Sequence, residues 1–231
     1  MGQSASQVPQ PGVASVRLYF LPVKTRIPWK FGSEVLTEVT CARVCLELKD
    51  ADSGASAVGW GETPLNVQWV WPSATIPYAD RHKALTQFTV LLAGAWAGYR
   101  ERGHALQIGH AFIEDELLVQ LDNFNVARRG RGEPVPHLAA LVCCAAFDQA
   151  LHDAYGKLVD RPVYETYTDA YMSHDLSQYL EPAQDASFDF VGRYPKDYLA
   201  TDPPDTLVAW HAVGGLDPLN ESELTGDEPD D

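Results

Sequence analysis

Positive charge is scarce in this sequence. Its 231 residues hold 17 Lys and Arg against 32 Asp and Glu, a formal net charge of −15. Phosphate binding needs a basic footprint, so nucleic acid is excluded as a partner. Sulfur is also sparse. The four cysteines, Cys41, Cys45, Cys143 and Cys144, include no C-x-x-C spacing, which excludes the common zinc frameworks. Cys143 and Cys144 are adjacent on a predicted helix, and Cys41 and Cys45 share one face of a predicted strand. All four read as buried reduced thiols, and a cytoplasmic location is expected. No run approaches the ~18 apolar residues of a membrane span, and MGQSASQVPQPG has no apolar signal core. No serine sits in a G-x-S-x-G setting.

A globular core is well supplied. Hydrophobic residues make up 45% of the chain, an ordinary value for a folded domain. The acidity is concentrated at the end, where Asp217, Glu221, Glu223, Asp227, Glu228, Asp230 and Asp231 stand without a base among them. The plain meaning of such a surface is solubility.

The pattern predicts an α+β fold: a three-stranded antiparallel meander, a bundle of about three helices, then a mostly irregular tail with one strand. Residues 1–13 read as a disordered lead. Val16–Val23 is the first strand, rich in aromatic and branched residues. Lys24–Ser33, KTRIPWKFGS, reads as a loop, broken by Pro28 and Gly32. Glu34–Lys49 alternates as a second strand, and Ser56–Glu62 is a third. Gly59 and Gly61 imply that another backbone or a ligand comes close to that third strand. Thr63–Pro77 is a second aromatic loop, carrying Trp69 and Trp71.

Helices are predicted over Tyr78–Glu101 and Leu106–Asn123, with His110 expected as a satisfied core histidine on the second. The longest lies in the stretch Pro136–Tyr164, alanine-rich and poor in β-branched residues, as suits close packing on both flanks. Pro136 fits its start; Gly156, Lys157 and Pro162 read as its stop signal. Asp148 and His152 stand at i, i+4 and read as a helical hydrogen-bonded pair, because no second pair of that type faces them. Arg128-Arg-Gly-Arg-Gly-Glu reads as a solvated turn. Residues 166–205 are polar and Pro-rich, a linker or lid segment. Thr206–Val213, TLVAWHAV, is strand-like and includes His211.

Three stretches carry a resemblance: Ile27-Pro-Trp-Lys-Phe-Gly32, Gly59-Trp-Gly-Glu-Thr-Pro64, and Ala145-Ala-Phe-Asp-Gln-Ala-Leu-His-Asp-Ala-Tyr-Gly-Lys157 running to Pro162-Val-Tyr164. Over residues 14–165 the chain resembles the N-terminal capping domain of the enolase superfamily, in the mandelate racemase and muconate lactonising enzyme branch. The last stretch is similar to the family signature A-x-x-D-x-A-L-W-D-x-x-G-K…P-V-Y, with His152 where Trp is usual.

The resemblance implies a following barrel whose carboxylates bind magnesium and whose Lys or His groups abstract a proton beside a carboxylate. Racemases, cycloisomerases and acid-sugar dehydratases use this chemistry. Residues 206–231 then read as the first barrel strand and an acidic end, a truncated barrel. No K-x-K pair is present, so no catalytic residue and no metal ligand is assigned, and no activity is expected from the chain alone. No cofactor is expected in this chain; magnesium is expected in a complete family member.

The resemblance assigns a substrate-facing lid to Ile27, Trp29 and Phe31 of the first aromatic loop and Trp69 and Trp71 of the second. The expected partner is a small carboxylate substrate, and only where a barrel is supplied. No nucleic acid and no membrane is expected, and a homo-oligomer stays open. A non-enzymatic binding or assembly module, or an incomplete gene product, is the alternative.

Overall fold

The computed structural model describes residues 8–31, 34–210, 213–226 and 228. Three strands form one antiparallel sheet in the order β1-β2-β3: β1 (Gly12–Phe31), β2 (Glu34–Lys49) and β3 (Ser56–Pro64). Alternation along β2 sets its faces. Ala42, Val44, Leu46 and Leu48 point inward and are fully buried, while Arg43, Cys45, Glu47 and Lys49 take the other face. The four cysteines are free and buried, and Cys41 and Cys45 share the outer face.

β1 is much longer than Val16–Val23 suggests. The stretch expected as a loop over Lys24–Ser33 is strand as far as Phe31, paired through Trp29↔Leu36 and Phe31↔Glu34. Proline misleads here because β1 is an edge strand, where a missing N–H breaks no ladder. The register shifts between Lys24 and Trp29, so that Pro28 falls in a bulge. Residues 32 and 33 lie outside the described residues. The expected lead also changes character at its end: Gln10 donates its N–H to Asp50 at 3.2 Å, Gly103 donates to the Pro11 carbonyl at 3.1 Å, and Gly12 opens β1.

Among the described residues five α-helices follow: α1 (Val67–Val70), α2 (Tyr78–Gly98), α3 (Ala105–Phe112), α4 (Leu118–Ala127) and α5 (His137–Leu158). The aromatic stretch after β3 thus contains a turn of helix, capped by the Asn66 side chain. A π-helical turn, Ile113–Leu117, joins α3 to α4. It explains why a single 3.6-residue stripe fits this region poorly. The buried positions are Ala105, Ile108, Gly109 and Phe112, then Leu117 and Leu121; the five-residue step across the π turn carries the buried face onward.

The core lies between the inner sheet face and the helices. Leu85, Phe88, Leu92 and Trp96 of α2 are buried, and the Trp96 ring stacks on Phe112 at 3.9 Å between centroids. α5 is enclosed on more sides than its leucines suggest. Leu138 is exposed, whereas Ala139, Ala140, Cys143, Ala146, Phe147, Ala150, Leu151, Ala154 and Tyr155 are buried. Its alanines face β3 at Gly59 and Gly61. A Cβ at Gly59 would lie 2.0 Å from the Ala150 carbonyl oxygen, and one at Gly61 would lie 2.1 Å from that of Ala146. The close approach expected at these glycines is therefore the α5 backbone.

α5 also satisfies the free edge of β3. Asp153 accepts the Trp60 N–H at 2.8 Å, and Gln149 accepts the Glu62 N–H at 3.2 Å. Lys157 holds Asp153 in place at 2.7 Å. Past the helix, Asp160 takes a left-handed conformation at φ 53°. Gly156 is a packing point, since a Cβ there would press on the Arg161 carbonyl at 2.9 Å.

Residues 166–205 are irregular, with short 3-10 turns at Leu176–Gln178 and Pro195–Tyr198. They are tied by Leu176 N–H to the Arg193 carbonyl at 2.8 Å, Gly192 N–H to Asp175 at 2.6 Å and an ion pair between Lys196 and Asp169. The strand expected over Thr206–Val213 is not formed among the described residues. Residues 206–210 have no ladder partner, and Leu207, Val208 and Trp210 are almost wholly exposed. β propensity alone does not hold a lone strand. His211 lies outside the described residues.

Candidate functional site

The two aromatic stretches leave the sheet at different points. β1 and β3 run in the same direction, but β3 leaves at Pro64, opposite Cys41, whereas Trp29 pairs with Leu36, five residues further along β2. The start of α2 packs beside the first of these points: His82 Nε2 lies 2.9 Å from Thr40 Oγ1, and Tyr78 stacks on His82. Burial, with Glu38 nearby, raises the Tyr78 phenol above its ordinary range.

The expected lid residues have different environments here. Ile27 and Trp29 are half-buried on β1, and Phe31 is its last residue. Trp29 meets the Gly214 backbone so closely that a Cβ there would lie 2.5 Å from the ring. Gly215 donates its N–H to the Lys30 carbonyl at 3.0 Å, and Gly214 donates to Asp217 at 2.6 Å. Trp69 is 61% exposed on α1, but Trp71 is 1% exposed. Trp71 is a core residue whose carbonyl accepts a hydrogen bond from the buried Arg81. Arg81 Nη1 also donates to Gln68 at 2.7 Å, which locks the second aromatic stretch onto α2. Of the five residues, Trp69 offers the largest exposed ring among the four whose side chains are described.

A second group of polar side chains surrounds α5. His152 Nε2 lies 3.8 Å from Asp148, and its Nδ1 is 2.8 Å from the Tyr167 hydroxyl. Asp148 sits against Gly109 of α3, where a Cβ would come 2.4 Å from its oxygen. Burial raises the Asp148 carboxyl and lowers the His152 imidazole, each opposed by the other's charge.

Among the described residues, His104 is the one buried histidine. Its Nδ1 accepts the Leu106 N–H at 3.1 Å as the cap of α3. That leaves Nε2 as the donor to Thr166 Oγ1 at 3.0 Å, and Thr166 donates in turn to the Val163 carbonyl at 2.6 Å. Burial, aided by the neighbouring His152, pushes its pKa down to about 3. A neutral imidazole that is already fully bonded positions structure; it does not exchange protons with a substrate. The only advance signal was its place after Gly103 and before a helix. His110 is half-buried instead, edge-on to Tyr179 at 5.0 Å.

Polar side chains elsewhere take structural places. Glu62 pairs with Arg43 at 2.5 Å. In the Arg128–Glu133 turn, Arg128 lies over the Phe124 ring and residues 129–133 are exposed. The described residues do not fit a magnesium ion: no three His, Cys, Asp or Glu side chains among them converge to hold a metal. No helix among them is long and apolar enough to cross a membrane.

No family model matches the chain, and no curated protein does. Solved structures of the mandelate racemase and muconate lactonising enzyme class resemble it. A mandelate racemase/muconate lactonizing enzyme-like protein from Rubrobacter xylanophilus is 17% identical over 68% of this chain and 33% of its own, with a TM-score of 0.35. The L-Ala-D/L-Glu epimerase of Bacillus subtilis is 17% identical over 68% and 34%, with a TM-score of 0.34. A dipeptide epimerase from Cytophaga hutchinsonii, solved with Mg and the dipeptide D-Ala-L-Val, is 19% identical over 67% and 33%, with a TM-score of 0.38. The chain spans about a third of the length of each.

Proposed function

We propose that residues 14–165 are the N-terminal capping domain of a mandelate racemase or muconate lactonising enzyme-like protein, a domain that contributes to substrate selection and carries no catalytic group of its own. One observation supports this reading most. Two of the three stretches of the resemblance are the two halves of a single contact, with Gly59 and Gly61 pressed on Ala146, Ala150 and Ala154. Trp60 and Glu62 are bonded to Asp153 and Gln149 across the same contact. A signature whose parts depend on each other sterically is harder to match by accident than either stretch alone.

In this reading Trp29 of β1 and Trp69 of α1 face a small carboxylate substrate held by a barrel. The aromatic surface excludes water from the reacting end and contacts the distal part of the substrate. Magnesium, and the acid and base groups, belong to the barrel. Residues 166–205 serve as the connection. The second reading, an assembly module without a substrate, is favoured by the core position of Trp71 and by the Gly214 turn that covers Trp29.

The test is α-proton exchange of carboxylate substrates in heavy water with magnesium, followed by proton NMR. The purified chain alone is expected to give no exchange. Mixed with the barrel of a mandelate racemase-like enzyme stripped of its own capping domain, it is expected to restore exchange, and Trp69→Ala to raise KM more than it lowers kcat. Magnesium-dependent exchange by the chain alone would overturn the proposal. No gain on mixing would favour the assembly module.

A further inference from the structure

The sheet is apolar on both faces, but the helices cover only one. On the outer face β1 presents Tyr19, Leu21 and Val23, and β3 presents Val58 and Trp60. Tyr19, Val23, Val58 and Trp60 are each 37–47% exposed. A sheet with apolar residues on both sides ordinarily has both sides covered. The register shows how the patch is built. Tyr19 pairs with Arg43, and Cys45 pairs with Trp60. Because Cys45 is small, the rings from the two flanking strands lean over β2 and stack at 6.1 Å. Beside them Arg43 and Glu62 form an ion pair at 2.5 Å with side chains 47% and 35% exposed.

We infer that this face is the contact between two copies of the chain, packed sheet to sheet about a two-fold axis. Charge favours a second copy as the occupant. On a chain of net charge −15, two copies repel over most of their surface. The outer face instead carries Arg17, Lys30, Arg43 and Lys49 against Glu47 and Glu62, so the acidic excess of the chain is absent from it. Arg43 and Glu62 stand side by side, so a two-fold related copy can place each opposite its counter-charge, as an isologous contact requires. The size is sufficient. The 16 residues of β2 paired to β1, with the 9 residues of β3, present about 650 Å² per copy at ordinary strand spacings, near the lower bound of a specific interface. An interface of that size is expected to give a concentration-dependent dimer. Both free edges disfavour the other route to association, strand addition. Trp60 and Glu62 N–H groups are taken by α5, and β1 carries Pro22 and Pro28.

Sedimentation velocity of the full chain from about 1 to about 200 μM is the test. The expected result is a monomer at the low end and a dimer at the high end. Trp60→Lys is expected to raise the dissociation constant at least tenfold while leaving the far-UV circular dichroism unchanged, since the Trp60 bond to Asp153 is made by its backbone. Val58→Lys gives the same result independently should Trp60→Lys disturb the fold. Arg43→Glu alone is expected to weaken the dimer, and the swap Arg43→Glu with Glu62→Arg to restore it. A monomer at every concentration, or a dimer indifferent to both lysine variants, would overturn the inference.

Discussion

The contact between β3 and α5 offers the sharpest single test of the packing, through Gly59→Ala. The added Cβ would lie 2.0 Å from the Ala150 carbonyl oxygen and 2.3 Å from the Ala154 nitrogen. Both obstacles are backbone, so no rotamer change relieves them. To reach an ordinary 3.4 Å contact, the helix must retreat from the strand by about 1.4 Å, in an interior too closely packed to absorb it. That displacement stretches the 2.8 Å bond between Trp60 and Asp153 and the 3.2 Å bond between Glu62 and Gln149 past hydrogen-bonding range. Overpacking costs about 1–3 kcal/mol and each lost bond about 1 kcal/mol, for a total of about 3–5 kcal/mol. For a chain of this size the melting temperature falls by on the order of 10 °C. Urea unfolding followed by circular dichroism measures the loss directly, and Gly94→Ala is the internal control. Gly94 lies within α2, and a Cβ added there would meet nothing within 4 Å, so alanine is expected to stabilise by about 0.5–1 kcal/mol. If Gly59→Ala and Gly94→Ala shift the midpoint alike, α5 does not rest on β3 in this way.

Two other perturbations probe different parts of the chain. His104 is held neutral in the fold at about 3, below its ordinary 6.5. Its contribution is therefore complete above about pH 6.5 and lost as the pH falls toward 3, at up to about 1.4 kcal/mol per pH unit. His104→Asn keeps a capping side chain and removes the proton. Urea midpoints of that variant between pH 7 and 4 should fall less steeply than those of the native chain, and parallel slopes would contradict the assignment. Trp71→Ala should cost about 3–5 kcal/mol as a core truncation, whereas Trp69→Ala should stay within about 0.5 kcal/mol as a surface change. Equal losses in thermal melts would mean that the two rings are not divided between core and surface.

What could be read in advance depended on how local its cause was. Gly59 and Gly61 were legible because two glycines in a strand have little reason to be there except a close approach, and the alanines of α5 are the matching surface. The meander and the helices follow from period and turn chemistry over short windows. The extension of β1 through residues 24–31 was not legible, since Pro28 signals a break unless the strand is known to be an edge with a bulge. His104 is bonded to Thr166, 62 residues later, and no local pattern carries that partner. Residues 206–210 show the converse failure: their propensity is real, but a strand is made by its partner. At the candidate lid, composition placed tryptophans near one another in sequence. It could not tell that Trp71 turns into the core with Arg81 while Trp69 stays out.

The side chains that α5 lends to β3 also fix how wide the sheet can be. Asp153 and Gln149, one helical turn apart, occupy the N–H groups that a fourth strand would need. At the opposite margin, Pro22 and Pro28 remove donors from β1. The meander is thus terminated on both sides by its own sequence. Replacing Asp153 and Gln149 together would do more than loosen a helix: it would reopen a margin for lateral growth, and with it a route from folded domain to fibre.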